Sequence, residues 1–198
     1  MELSDDEVAA LGAGGFVMRD GLLGDTAAAA AAEARRLAEG GALRPAGVGR
    51  EQTLDPATRG DAIAWLDEGD LDPSLRPLWT RFEELMVALN RDAWLGLRRF
   101  EVQLAFYPGG GARYARHRDA FRGDDARVAT AIVYLNPAWE PAQGGVLRLH
   151  TAAGPVDVEP LLDRLVLFLS ERVEHEVLPA HAPRLAITAW YRRDLARL

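Results

Sequence analysis

The sequence predicts a mainly β fold with flanking α-helices, and two observations carry the prediction. Helical patterns fill the first half of the 198 residues, whereas from about residue 99 the hydrophobic period drops to that of short strands. The segments RFEVQLAFYP, VATAIVYLN, GGVLRLH, RLVLFLS and RLAITAWYRR are rich in β-branched and aromatic residues and are separated by Gly, Pro, Asn and Asp. Five such strands suggest a β-sandwich or barrel, with helices stacked on the outer face of a mostly antiparallel sheet. A chain of this length suits one domain, 1–198, with helical support over about 1–98 and the β core over about 99–193.

The helices follow in order. SDDEVAALGAGG opens with a Ser4 cap and two acids in its first turn, then stops on glycines. GDTAAAAAAEARRLAEGG has Asp25 or Thr26 as its cap, an alanine interior of high helix propensity and a Gly40-Gly41 stop. DPSLRPLWTRFEELMVALNRDAWLGL sets Leu75, Leu78, Trp79, Phe82, Leu85, Met86 and Leu89 at helical spacing, an aromatic stripe suited to core packing rather than to a cofactor.

Composition excludes several classes of function. Hydrophobic residues make up 48% and charged residues 27%, ordinary for a folded soluble chain. The formal net charge of -7 argues against nucleic acid as a partner. Every Lys or Arg position is Arg, with no Lys, which fits a GC-rich coding bias. The absence of cysteine removes disulfides, thiolate catalysis and thiolate-bound metal, so any metal must use His and carboxylates. The acidic N-terminus does not read as a signal peptide, and no run approaches membrane-spanning length, so the expected compartment is the cytoplasm, with no membrane partner.

The chemistry concentrates in YPGGGARYARHRDAFRGDD, residues 107–125. A strand carrying His117 and Asp119 would turn both side chains to one face, because the strand period is two. A third ligand could come from His150, His175 or His181; His175, between two apolar strands, is best placed to reach a barrel mouth, unless Glu174 or Glu176 satisfies it instead. Two histidines and one carboxylate on an octahedral ion leave three positions free, the arrangement of non-haem Fe(II) oxygenases. A keto acid filling two of those positions needs a cation for its far carboxylate. Arg184 and Thr188 share a face of the last strand and form a credible clamp, the alternative for Arg184 being a strand-edge surface charge.

In order along the chain, YPGGGARYARHRD, IVYLN, GGVLRLH, EPLLDRLVLFLSERVEHEV and APRLAITAWY resemble the Fe(II)- and 2-oxoglutarate-dependent prolyl 4-hydroxylases, particularly the hypoxia-sensing type and its bacterial relatives. RGDAIAW, residues 59–65, resembles an element of the same branch, and the likeness runs from about residue 20 to 193. The resemblance implies a double-stranded β-helix, the cupin-like jelly roll. It implies that His117, Asp119 and His175 bind iron and that Arg184 pairs with the 5-carboxylate of 2-oxoglutarate. Tyr134 and Thr188 would add hydrogen bonds to that carboxylate, Tyr107 would lie against the co-substrate, and Trp190 would sit beside the iron; both aromatic types could also be plain core. The implied reaction consumes 2-oxoglutarate and O2, with ascorbate as reductant, releases succinate and CO2, and hydroxylates C4 of a proline.

For the substrate, Arg113, Arg116, Arg118, Arg122 and Arg127 could attract an acidic or carbonyl-rich peptide, or could instead be a solvated face paired to Asp124 and Asp125. By the same resemblance, the loop before RGDAIAW would correspond to a finger loop that closes over the peptide, and an Asp61–Arg127 pair is expected to hold it. The expected substrate is a proline-containing protein or peptide, with a translation component as first candidate, and the expected state is a monomer. Two other readings stay open: an oxygenase of a small molecule such as free proline, and a catalytically silent jelly-roll binding module.

Overall fold

A computed structural model describes residues 1–47, 53–120 and 127–193. Three helices and eleven strands follow in chain order. They are α1 (Asp5–Gly12), β1 (Phe16–Asp20), α2 (Ala27–Glu39), β2 (Arg44–Pro45), β3 (Ala62–Leu66), α3 (Arg76–Asp92), β4 (Arg99–Tyr107) and β5 (Ala112–His117). Then come β6 (Arg127–Tyr134), β7 (Leu147–Thr151), β8 (Gly154–Val158), β9 (Arg164–Leu169), β10 (Glu174–Ala180) and β11 (Arg184–Arg192).

The helices start and stop for local reasons. Ser4 caps α1 in a reciprocal capping box with Glu7. Thr26 stands at the N-cap of α2 but makes no side-chain cap; its hydroxyl donates to Leu23 O at 2.9 Å and closes a 3-10 turn instead. The expected Asp25 or Thr26 cap is therefore corrected. α3 begins after a 3-10 turn that Asp72 opens by accepting from Ser74 N. It ends at Asp92, before the apolar pattern runs out, because Trp94 and Gly96 take φ values of 55 and 65, and Asn90 bridges both backbone groups of Leu97.

The strands form a seven-stranded sheet, β1-β9-β6-β11-β4-β3-β2, and a four-stranded sheet, β5-β10-β7-β8, paired antiparallel throughout. This is the expected mainly β jelly roll backed by helices. Two expectations are corrected. β1, β2 and β3 lie inside the stretch expected to give helical support and extend the larger sheet. β8 and β10 are further strands that the apolar pattern did not mark.

Alternation along the strands divides the interior in two. On the helix side, Val102, Leu104, Ala131, Val133, Leu165, Leu167, Leu185, Ile187, Ala189 and Tyr191 pack against Leu78, Phe82, Leu85 and Leu89 of α3. Ala27, Ala30, Ala31 and Ala34 of α2 are buried in the same cluster, and their small side chains let the helix lie close to the sheet. Between the sheets, Tyr107, Ile132, Tyr134, Leu147, Leu149, Val166, Phe168, Val177 and Ala186 form a second cluster. The Tyr191 hydroxyl donates to Phe82 O at 3.0 Å, tying β11 to α3.

An ion pair fastens α1 to β1: Arg19 donates to Glu7 through Nε at 2.8 Å and Nη2 at 2.6 Å. The bond from Arg19 is the largest influence and lowers the Glu7 carboxyl from its ordinary 4.5 to about 2; burial opposes it, and the Ser4 backbone bond adds to it. A depressed carboxylate stabilises the fold above its unfolded pKa and loses that contribution as pH falls through the folded one. Glu7→Gln is therefore expected to cost about 1 kcal/mol or less at neutral pH, since the pair is partly solvated. The difference in thermal midpoint, about 2–4 °C at most, should vanish as the pH is taken from 4.5 toward 2. Melting curves of the two proteins across that range check it.

Candidate metal centre and active site

His117 ends β5 and sits directly opposite His175 of β10 in the antiparallel register. Asp119 lies two residues beyond the end of β5, so the expectation that one strand carries both His117 and Asp119 is corrected: the chain bends after His117 and turns the carboxylate inward. His175 likewise stands on a strand of its own rather than in the connection between two. The three side chains nevertheless converge, with ligand atoms all within 4.8 Å of one another. His117 Nε2 is 3.6 Å from Asp119 Oδ1, and His175 Nε2 is 3.7 Å from Asp119 Oδ2. Among the described residues this is the one group of His and carboxylates able to hold a metal ion.

Backbone carbonyls prepare both imidazoles. His117 Nδ1 donates to Ala115 O at 2.8 Å, and His175 Nδ1 lies 3.4 Å from Val173 O, which leaves each Nε2 lone pair facing the centre. Burial lowers His175 to about 4, helped by the nearby His117 and opposed by Asp119. Burial alone would raise Asp119, but His175 and His117 outweigh it and hold the carboxyl far below its ordinary range. A neutral His175 and an ionised Asp119 are donor states that suit a divalent cation. Thr130 Oγ1 donates to Asp119 Oδ2 at 2.8 Å and shares a 2.9 Å bond with Ser170, fixing the carboxylate's plane in a fully buried pocket.

The competing histidines are occupied elsewhere. His150 Nε2 meets Glu176 at 2.9 Å, and Glu174 accepts from Arg116, so neither acid satisfies His175. His181 contributes its backbone N–H to Gln143 O and does not line the cavity.

Next to the metal group, β11 turns Arg184, Ala186, Thr188 and Trp190 into the cavity between the sheets. Arg184 is 3% exposed, yet it has no carboxylate partner among the described residues; its Nε donates to Gly145 O at 2.7 Å. Its guanidinium lies 4.9 Å from the ring centroid of Tyr107 and 5.0 Å from that of Tyr134. The Tyr134 hydroxyl is buried and completes no hydrogen bond, and burial pushes its pKa up to about 12 against the charge of Arg184. A buried cation and an orphaned hydroxyl side by side are costly unless an anion joins them. The far carboxylate of 2-oxoglutarate fits that need. Gly145 makes the pocket possible: its φ is +70, and a Cβ there would lie 2.8 Å from Arg184 Cδ.

Trp190 Nε1 lies close enough to Asp119 to favour its ionised form but has no partner at hydrogen-bond distance. Its ring carries Arg127 on one side, 4.2 Å from the centroid, and meets Trp65 at 5.8 Å.

The expected Asp61–Arg127 pair is corrected, because both groups have other partners. Arg59 Nε donates to Asp61 Oδ1 at 2.8 Å, and Arg127 Nε donates to Glu101 at 2.7 Å. Arg116 does not line the cavity; it faces outward onto Glu174 at 2.8 Å. Arg122, Asp124 and Asp125 lie outside the described residues.

Several cavity residues escaped the sequence reading. Tyr114 stacks on His117 with centroids 3.6 Å apart, Arg59 lies 4.5 Å over the Tyr114 ring, and Gln103 accepts from Arg59. Thr130 could have been found, since it alternates with Ile132 and Tyr134 on the interior face of β6. Trp65 and Gln103 come together only through the pairing of β3 with β4, where they are register partners.

The family model of the 2OG-Fe(II) oxygenase superfamily matches residues 102–192. The chain is 34% identical over 194 residues to mouse prolyl hydroxylase EGLN3, covering 89% of this chain and 78% of that protein. Other curated relatives are longer, the matches spanning 13% of the Caenorhabditis elegans hypoxia-inducible factor prolyl hydroxylase and 33% of human Egl nine homolog 1. Among solved structures, a Pseudomonas putida prolyl-4-hydroxylase superposes with a TM-score of 0.86 at 41% identity, over 96% of this chain and 98% of that one. A Trichoplax adhaerens prolyl hydroxylase, solved in complex with a hypoxia inducible factor peptide fragment, gives 0.85 at 31% identity over 94% and 87%. With the two-histidine, one-carboxylate group and the unpaired arginine beside it, the chain belongs to the prolyl 4-hydroxylase family of Fe(II)- and 2-oxoglutarate-dependent oxygenases.

Proposed function

We propose that this chain hydroxylates C4 of a prolyl residue in a protein or peptide, consuming 2-oxoglutarate and O2 and releasing succinate and CO2. The observation that carries the reading is the buried Arg184, without a carboxylate partner among the described residues, which lies beside the orphaned Tyr134 hydroxyl and lines the same cavity as His117, Asp119 and His175. Bound Fe(II), with 2-oxoglutarate and O2, supplies the oxidising chemistry that splits the keto acid and delivers one oxygen atom to the substrate. The chain's own residues position and exclude water. His117, Asp119 and His175 would hold the metal. Arg184, Tyr134 and Thr188 receive the 5-carboxylate, and Tyr107 closes against the carbon chain. Trp190 and Trp65 form an indole wall at the mouth, and Arg127, stacked on Trp190 and tied to Glu101, orders it for the substrate. The Arg59–Asp61 pair anchors residues 58–60 to β5 through Gly60 N to Arg113 O and Ala115 N to Thr58 O, both at 2.8 Å, which fixes one edge of the entrance. No general base is required, consistent with the absence of such a role for any residue above.

A single domain over 1–198, a monomeric state, ascorbate as reductant, a bacterial source and a cytoplasmic site of action belong to the same proposal, with a translation component as candidate substrate. No helix among the described residues is long and apolar enough to cross a membrane. The peptide reading draws support from the relative solved with a bound peptide fragment. The test is incubation of the Fe(II)-loaded enzyme, 2-oxoglutarate and air with proline peptides and with free proline. A gain of one oxygen at a peptide proline, dependent on 2-oxoglutarate, is expected. Oxidation of free proline alone would favour the small-molecule reading, and 2-oxoglutarate left intact with every substrate would favour a silent module.

A further inference from the structure

We propose that Gln103 is a substrate-binding residue whose amide N–H donates to the carbonyl oxygen of the residue before the target proline; this rests on the prolyl hydroxylase reading above and says how its substrate is recognised. Gln103 is 3% exposed and stands on the face of β4 that lines the cavity. Its Oε1 accepts from Arg59 Nη2 at 3.2 Å. A guanidinium only donates, so the amide oxygen must face Arg59, and Nε2 is turned the other way with its hydrogens to give. Among the described residues Nε2 meets no acceptor, yet it is not one of the atoms sealed from solvent, so it opens onto the cavity.

The fold does not need this amide. Asp61 already accepts from Arg59 Nε at 2.8 Å and from Nη2 at 3.1 Å, and Gly47 O accepts from Nη1 at 3.2 Å. A buried donor left unfilled is unfavourable, and an apolar side chain of the same length would fill the space without that penalty. Nor does the far carboxylate of 2-oxoglutarate account for it. Strand register sets Gln103 beside Thr188 and Trp65, whereas Arg184 is set beside Tyr107, four residues and about 13 Å further along β4. Gln103 thus stands one inward position below the level of Trp190, beneath the indole wall at the mouth. Proline explains why the wall should offer a donor. Once acylated, the ring nitrogen carries no hydrogen, so the peptide group that enters with the ring presents an oxygen acceptor and no donor. A fixed N–H on the cavity wall is its complement.

The test compares wild type, Gln103→Glu and Gln103→Leu on the proline peptide that wild type oxidises fastest. Affinity for 2-oxoglutarate is read separately from the anaerobic Fe(II)–2-oxoglutarate absorption band. Glu keeps an oxygen for Arg59 but puts an anion where the donor stood, and Leu removes both. Peptide KM is expected to rise about 10- to 100-fold in Gln103→Glu and about 3- to 10-fold in Gln103→Leu, with 2-oxoglutarate affinity within about 2-fold of wild type in each. That order is the signature, because a merely structural amide would make Leu, which forfeits the Arg59 bond, the worse of the two. Leu worse than Glu in peptide KM therefore overturns the proposal, as does an unchanged peptide KM in both, and either result leaves prolyl hydroxylation standing. A fall in 2-oxoglutarate affinity at unchanged peptide KM overturns it too, assigning the amide to the keto acid. Succinate release by wild type without proline oxidation in any peptide overturns the prolyl reading itself, and the role of Gln103 with it.

Discussion

Asp119→Ala abolishes succinate formation while the two sheets remain folded: this is the largest single effect expected of any substitution in the chain. Asp119 is the one anionic member of the group, 3.6 Å from His117 Nε2 and 3.7 Å from His175 Nε2. Loss of an outer-shell partner typically costs about 10–100-fold in metal affinity or activity, and loss of a direct carboxylate should exceed that. The fold should survive, because the neighbours of Asp119 are the two imidazoles, the Thr130 hydroxyl and the Trp190 indole, and Thr130 keeps Ser170 as a partner. The check is parallel: succinate release, and the anaerobic Fe(II)–2-oxoglutarate absorption band, against circular dichroism. Turnover above about a tenth of wild type would remove Asp119 from the ligand set.

The second large effect is on co-substrate binding. Arg184→Lys retains the charge but loses the planar fork and the Nε–H that Gly145 O accepts. Hydrogen bonds to charged groups contribute about 1.5–3 kcal/mol, so the KM for 2-oxoglutarate should rise by about 10–100-fold, with a smaller change in kcat at saturation. Gly145→Ala should raise the same KM without altering any ligand group, because the added Cβ meets Arg184 Cδ at 2.8 Å and the backbone sits at φ +70. Initial rates over a range of 2-oxoglutarate concentrations settle both. An unchanged KM in both variants would take the far carboxylate away from this arginine.

How much of this was legible beforehand depended on where each residue's information lies. The long helices announced themselves through apolar spacing, β6, β9 and β11 through nearly continuous apolar runs, because both of their faces are covered, and β4 through the alternation of Phe100, Val102 and Leu104 with polar residues. β5 and β8 form the edges of the smaller sheet and alternate with exposed charges, as β10 does with Glu174 and Glu176, so hydrophobicity alone hid them. His117, Asp119, His175 and Arg184 were visible because their chemistry is rare and their order along the chain is specific. The Asp61–Arg127 pairing failed since Arg59, two residues from Asp61, and Glu101 offered nearer partners. Tyr114, Trp65 and Gln103 depend on which strands lie side by side, and no local pattern encodes that.

The division of the interior into two clusters has a consequence for descent with modification. Along β11, Leu185, Ile187, Ala189 and Tyr191 belong to the helix-side packing, whereas Arg184, Ala186, Thr188 and Trp190 belong to the cavity. The two sets interleave in sequence but share few neighbours in space, and substitutions at sites without common partners tend to add independently. A lineage can therefore drift in thermal tolerance through one set of positions and in substrate through the other, using alternate letters of the same strand.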